Sequence, residues 1–325
     1  MKKLNKNLHE AKKAKNDEFY TQLTDIEKEL WNYKSHFTNK TIFCNCDDPE
    51  ESNFWQYFSL NFEFFGLKKL ISTHFEKDKP SYKLELVKDI NDDGKVNGLD
   101  TIKTPLKQNG DFRSPESIEI LKESGIIITN PPFSLFREYV AQLIEYDKKF
   151  VIIGNLNAIT YKEVFPLLKN NKIWLGPSIY SGDREFEIPA YIVDKGKFTG
   201  EIREGKYYQR VMGIRWYTNI DHYKRHEVIT LFREYNDNDY PKYDNYDTIN
   251  IDKVKNIPIN YKGPMGVPIS FMDKYSPDQF EILDGIGRYS MLTGPTDDTK
   301  GTYLTKINGK PKYARIIIRR KQNEI

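Results

Sequence analysis

The feature that most constrains this chain is a run of three isoleucines, Ile126-Ile127-Ile128, passing through Thr129 straight into Asn130-Pro131-Pro132-Phe133. Consecutive β-branched residues favour extended backbone. The strand cannot continue past Asn130, because Pro131 and Pro132 lack the N–H a sheet ladder needs and their φ is fixed. Beyond them, Phe136, Tyr139, Val140, Leu143 and Ile144 recur at helical spacing, with Ser134 placed to cap the helix. Strand, rigid turn and amphipathic helix in that order commit the chain to an α/β fold.

The same alternation runs through the first half of the chain. A helix capped by Thr24 or Asp25 extends to about Tyr33, with Ile26 and Leu30 on one face. Residues 41–46 read as a first strand. Residues 52–65 form a helix carrying Phe54, Trp55, Tyr57, Phe58, Phe62 and Phe65, too many rings to leave in water. Strands follow at 67–75, 82–87, 150–154 and 173–175, with a helix over 114–122. This pattern predicts a Rossmann-like, doubly wound, mostly parallel sheet, in which ligands sit outside the carboxyl ends of the strands. Asp47, residues 73–76 and Asn130 fall at those ends and so face one crevice. After about residue 176 Gly, Pro and Tyr become frequent, and short strand-like runs at 185–188, 210–218 and 313–318 replace the helices. The expected division is residues 1–220 and 221–325, the second part a mixed region, with 185–188 able to complete the first sheet.

Composition excludes several classes. With 14% aromatic and 38% hydrophobic residues in 325, the chain can bury a core and is not disordered. No segment reaches the roughly 20 apolar residues that span a bilayer, and no signal peptide opens the chain. Two cysteines give no disulfide framework, which suits a reducing cytoplasm; a monomer with no membrane partner is expected. The net charge of +3 permits nucleic-acid binding without requiring it, so placement decides. Lys2, Lys3, Lys6, Lys12, Lys13 and Lys15 load the start of the chain and read equally well as a solvated end. Arg315, Arg319, Arg320 and Lys321 bracket Ile316-Ile317-Ile318, a strand that would hold their charges in place for phosphate.

Three lookalikes carry less. Asp89, Asn91, Asp93, Gly94 and Asp100 have calcium-loop spacing, but strand-like residues precede them, and they read as a polar turn. Cys44 and Cys46 share one face of a strand and read as reduced thiols. His222 and His226 have the spacing of a helical ligand pair but read as a polar face. No metal site is expected.

The tetrapeptide at 130–133 solves a specific problem, the methylation of an amino group conjugated to a ring or carbonyl. Such a nitrogen is a poor nucleophile because its lone pair is delocalised. The Asn130 carboxamide oxygen and the Pro131 carbonyl can accept both N–H groups and draw the nitrogen towards tetrahedral geometry, while Pro131 and Pro132 hold the turn rigid. Phe133 offers a flat face for a planar substrate.

Together with Asp17-Glu18-Phe19-Tyr20-Thr21, Cys44-Asn45-Cys46-Asp47-Asp48-Pro49, Gly110-Asp111-Phe112-Arg113-Ser114, Arg215-Trp216-Tyr217-Thr218-Asn219 and Met265-Gly266-Val267-Pro268, this tetrapeptide resembles the adenine DNA methyltransferases of the EcoRI type, over nearly the whole chain. The resemblance implies S-adenosyl-L-methionine as cofactor, held by Phe19, Tyr20 and Thr21 around its methionine portion. Asp111 and Phe112 would receive its adenine. Asp47 or Asp48 can bind its ammonium, and Glu76 is a candidate for its ribose. The resemblance further implies double-stranded DNA as partner, an adenine flipped from the duplex as target, and target recognition beyond residue 220. Trp216 and Tyr217 are open to two readings, a second wall of the base pocket or a core pair. Arg315 and Arg319 are candidate DNA contacts. A cognate restriction endonuclease would share the site without having to bind. An RNA or protein-glutamine methyltransferase with the same chemistry, and a non-catalytic DNA-binding protein, are the alternatives.

Overall fold

The computed structural model describes residues 20–46, 48–178, 183–188, 190, 193, 198, 200–244, 246–286 and 306–321. The chain divides into two compact units, one of residues 1–155 and 181–220, the other of 156–180 and 221–325. The sequence reading placed residues 156–180 in the first part; they go with the second.

The first unit is built on strands β1 (Thr41–Cys44), β2 (Lys69–Thr73), β3 (Tyr82–Leu86), β4 (Ile102–Pro105), β5 (Ile126–Thr129), β6 (Lys149–Asn155) and β7 (Ile214–Thr218). They lie side by side in the order β4-β3-β2-β1-β5-β6-β7. β1 runs parallel to β2 on one side and to β5 on the other, and β5 runs parallel to β6. β3, β4 and β7 are antiparallel to their neighbours, so the sheet is mixed with a parallel centre. Strand order reverses between β1 and β5, which makes their carboxyl ends the switch point where such sheets take ligands. Ile126, Ile127 and Ile128 are all buried, as an unbroken apolar run demands.

Helices α1 (Leu23–Leu30), α2 (Asn53–Leu60), α3 (Pro115–Glu123) and α4 (Phe136–Glu145) accompany the sheet, with small departures from the expected bounds. α1 starts at Gln22 with no side-chain cap and tightens into a 3-10 turn over Trp31–His36. The aromatic helix ends early. The Asn61 side chain donates to the Tyr57 carbonyl at 2.8 Å, and a separate turn over Phe62–Phe65 stops at the left-handed Gly66. All six rings anticipated as core are nevertheless buried. Ser134 does not cap α4; Pro132 opens a 3-10 turn over Phe133–Leu135, with the Leu135 N–H donating to the Pro132 carbonyl at 2.9 Å. The prolines' pinned φ does the work expected of a cap.

Residues 185–188 do not complete the main sheet. Asp183–Ile188 instead pairs with Tyr20–Thr21 on one edge and Lys206–Met212 on the other, in a separate antiparallel sheet. The run at 210–218 is divided by Gly213, at φ +70°. Its first part serves the small sheet and its second is β7.

The second unit carries β8 (Ile249–Asn250), β9 (Met265–Pro268), β10 (Phe280–Ile286) and β11 (Arg315–Arg320), in the order β8-β9-β11-β10. β8 and β9 are parallel and the other pairs antiparallel. Ile316, Ile317 and Ile318 form its core with Met265, Val267 and Phe280. No helix among the described residues is long and apolar enough to cross a membrane.

Candidate active site

The carboxyl ends of β1, β2 and β5 are tied to one another by side chains. The Cys46 N–H, just beyond β1, donates to Thr129 Oγ1 at the end of β5, at 3.1 Å. Ser72 Oγ on β2 donates to the Cys44 carbonyl at 2.6 Å. Asn130, the next residue after β5, is therefore held at a braced corner and is itself buried. Pro131 is buried behind it, while Phe133 is only half buried. A rigid amide and a partly open ring thus stand three residues apart on a turn whose backbone the prolines fix.

Acidic groups surround this corner. Asp48, in the loop after β1, pairs with His74 Nδ1 at 3.1 Å, and His74 sits just past β2, stacked on Tyr82 with ring centroids 4.8 Å apart. Burial pushes the Asp48 carboxyl up, but the hydrogen bond to His74 and the Glu50 N–H outweigh it and hold the group below the usual carboxylate range. The hydrogen bond to Asp48 in turn raises His74 above its ordinary value. Glu76 lies 3.5 Å from His74 Nε2.

The Asp111 loop is brought to the same place by backbone. The Glu76 N–H donates to the Asn109 carbonyl at 2.8 Å. Gly110 adopts φ +77°, and a Cβ there would lie 1.9 Å from the His74 carbonyl oxygen, so only glycine lets the loop close on the end of β2. Arg113 forks onto Asp111, with Nε to Oδ1 at 2.8 Å and Nη2 to Oδ2 at 2.6 Å. Burial raises the Asp111 carboxyl, and this fork outweighs it, leaving the group lowered and anionic. Phe112 is buried, edge-on to Tyr139 of α4 at 5.0 Å. Tyr139 also donates its hydroxyl proton to Asn45 Oδ1.

Thr21 is buried, with its hydroxyl unpartnered among the described residues; its carbonyl accepts from Asn53 Nδ2 at 2.7 Å, at the start of α2. Tyr20 shares its short strand. Asp17, Phe19, Asp47 and the N-terminal lysines lie outside the described residues.

Two sequence expectations are corrected. Arg315 is not available to phosphate. It is buried, and its guanidinium is spent on Asn250 Oδ1 (3.3 Å), the Tyr313 and Ala314 carbonyls, and Asp252 at 3.5 Å. Alternation does not separate the two arginines, since Arg315 and Arg319 fall on the same face of β11; Arg315 begins the strand beside Asn250 and Asp252, whereas Arg319 lies near its exposed end. Trp216 and Tyr217 are 1% and 0% exposed. Trp216 packs edge-on to Phe54 and Tyr217 to Phe136, so of the two readings the core pair is the one the structure places. Arg319 is exposed and paired with Glu281 at 2.6 Å. The calcium-like loop turns on its own carboxylates, Asp89 accepting from the Asn91, Asp92 and Gly94 N–H groups and Asp100 from Ile90 and Asn97. His222 and His226 do not share a face. His222 is buried against the Leu175 carbonyl, while His226 bridges Asp221 and Asp278 in solvent.

Sequence reasoning gave no individual role at the site to His74, Gly110, Asn45 or Tyr139. The signal for Gly110 was a glycine directly before the proposed adenine-binding dipeptide. For Asn45 it was a polar residue just beyond a buried strand.

A parallel-centred sheet with an Asn-Pro-Pro-Phe turn at its switch point is the architecture of a Rossmann-like methyltransferase. The chain belongs to the family described as adenine-specific methyltransferase EcoRI, whose model matches residues 7–321. It is 46% identical to the Type II methyltransferase M.EcoRI of Escherichia coli, over 98% of this chain and 97% of that protein. Two mycoplasma proteins are also similar: M.MgeORF184P of Mycoplasma genitalium, 39% identical over 96% of this chain and 98% of the relative, and M.MpnI of Mycoplasma pneumoniae, 37% identical over 97% and 98%. The chain is accordingly an adenine-specific DNA methyltransferase using a methyl donor of the S-adenosylmethionine type.

Proposed function

We propose that the enzyme methylates the exocyclic amino group of an adenine extruded from a specific duplex sequence, with Asn130, Pro131, Pro132 and Phe133 as its catalytic turn. The observation that carries this reading is the buried Asn130 amide beside the half-open Phe133 ring at the switch point of the sheet. Asn130 Oδ1 and the Pro131 carbonyl accept the two amino N–H groups, which localises the nitrogen lone pair. Phe133 stacks on the extruded base and returns about 1–3 kcal/mol of the cost of unstacking it. No base is needed beforehand, because the nitrogen becomes cationic and acidic once methylated and loses its proton to water.

S-adenosyl-L-methionine supplies an electrophilic methyl group on its sulfonium sulfur. The donor set at this site suits it: Asp48 for the ammonium, Glu76 for the ribose hydroxyls, Asp111 and Phe112 for the adenine, and the buried Thr21 hydroxyl for the methionine end. Each carboxylate retains acceptor capacity beyond the partners it already has. A cofactor without a pyrophosphate also explains why the turn after β1 needs no glycine-rich loop.

The first unit would carry catalysis and the second target recognition. In the second, Lys224, Lys255 and Lys274 line a groove of about 410 Å³ together with Glu227 and Asp273, and the lysines outnumber the carboxylates as contact with a DNA backbone would require. A restriction endonuclease recognising the same sequence would complete the system in the cell, and the enzyme would act as a monomer. Incubation with labelled S-adenosylmethionine and duplex DNA, followed by mapping of methyladenine, tests the reading. Label found in RNA or protein but in no DNA sequence would overturn it.

A further inference from the structure

Asn45 occupies an unusual position. It follows directly on β1 at the switch point and is 2% exposed. Two donors converge on its Oδ1, the Tyr139 hydroxyl and the Cys46 thiol at 3.7 Å. Its Nδ2 has no hydrogen-bond partner among the described residues. A buried amide left half-satisfied is costly, and native proteins keep one where something other than the chain completes it. Tyr139 fixes which half is left over. Being fully buried and edge-on to Phe112, it is locked in place, and by donating to Oδ1 it orients the carboxamide so that the N–H₂ end is the one remaining.

The surrounding chemistry says what that end receives. Asp48, Glu76 and Asp111 are acceptors, suited to the ammonium, hydroxyl and amino groups of the cofactor. The methionine portion also carries a carboxylate, which needs a donor and would be repelled by those same acids. We propose that Asn45 Nδ2 donates to the cofactor carboxylate, and that Tyr139 is a positioning residue that holds the Asn45 amide in the required orientation. The inference rests on the S-adenosylmethionine reading given above. It also links the cofactor site to the helix that follows the catalytic turn, since Tyr139 touches Asn45 and Phe112 from α4.

Equilibrium titration of the whole enzyme with two ligands tests the assignment: S-adenosylhomocysteine and its decarboxylated counterpart, which keeps the amine but lacks the carboxylate. Asn45→Ala should weaken S-adenosylhomocysteine about 10-fold or more, the range for a hydrogen bond to a charged group, and leave the decarboxylated compound within about twofold. Tyr139→Phe keeps the ring on Phe112 and should shift the same ligand in the same direction by about threefold. If Asn45→Ala fails to fold, as circular dichroism would reveal, the Tyr139→Phe titration decides. Equal weakening of both ligands, or of neither, overturns the inference. A wild-type enzyme that binds neither compound overturns the cofactor reading itself, and this assignment with it.

Discussion

Asn45 in the first unit and Arg315 in the second are both buried polar residues at the end of a core strand, yet they stand in opposite conditions. Arg315 is surrounded by acceptors from its own unit: Asn250, Asp252 and two backbone carbonyls. Asn45 is held at one end by Tyr139 and left open at the other. Asn45 keeps hydrogen-bonding capacity that no group among the described residues uses, whereas Arg315 spends its charge on the architecture of its own unit. Burial of a polar residue therefore does not by itself mark a ligand site; at Asn45 it coincides with unused capacity and with the switch point of the sheet.

The sharpest way to break this contrast is at the proposed catalytic turn. Asn130→Ala should lower the methyl-transfer rate on the order of 10³-fold while cofactor binding survives, measured by single-turnover transfer and by titration with S-adenosylhomocysteine. A variant that stays active would move the chemistry elsewhere. Next in size is Gly110→Ala. The new Cβ collides with the His74 carbonyl at a positive φ, so unfolding stability should fall by about 3 kcal/mol, or the loop should swing out and cofactor affinity collapse. Denaturant titration and ligand titration tell these apart.

The two arginines of β11 then give a matched pair. Arg315→Ala should cost about 1–3 kcal/mol of stability by stripping partners from buried groups, with the salt dependence of DNA binding unchanged. Arg319→Ala should barely affect stability, as expected for an exposed ion pair, but lower the slope of log affinity against log salt by about one if Arg319 meets a phosphate. A reversed outcome would return Arg315 to the DNA surface.

The smallest effect concerns pH. His74 is raised above its unfolded value of about 6.5, so its pairing with Asp48 stabilises fully below that pH and is lost as pH climbs through the raised value. Asp48 is lowered, so its share is present above the unfolded carboxylate value and lost as pH falls through the lowered one. Between these limits the pair contributes most. Unfolding midpoints at pH 5.5 and 8.5 should show a drop in wild type that is smaller in His74→Gln, the remainder belonging to His226, which Asp278 and Asp221 also raise; equal drops would assign the whole effect to another group.

Much of the first unit was legible because its signals are local. Ile126–Thr129 reads as a strand from four side chains, and the prolines that end it are written in the chain. What escaped depends on contacts between residues distant in sequence. The antiparallel course of β3 and the strand at Ile102–Pro105 follow from pairing across the sheet, which no short window contains. The inward turn of Arg315 depends on Asn250, 65 residues away, and the pairing of Tyr139 with Asn45 spans 94. At the site, the acids could be named from their places at strand ends, but their mutual ties through His74 and Gly110 could not.

Gly213 has a mechanical consequence. A single residue joins the small sheet to the core sheet. On one side of it the Met212 carbonyl is fastened to Asn155 Nδ2 at 3.1 Å; on the other, Ile214 is in register with the same Asn155. The sheet that carries Tyr20 and Thr21 therefore has no slack in its tether. A displacement of that sheet at Gly213 would therefore strain the Met212–Asn155 hydrogen bond and the end rung of β7 on β6.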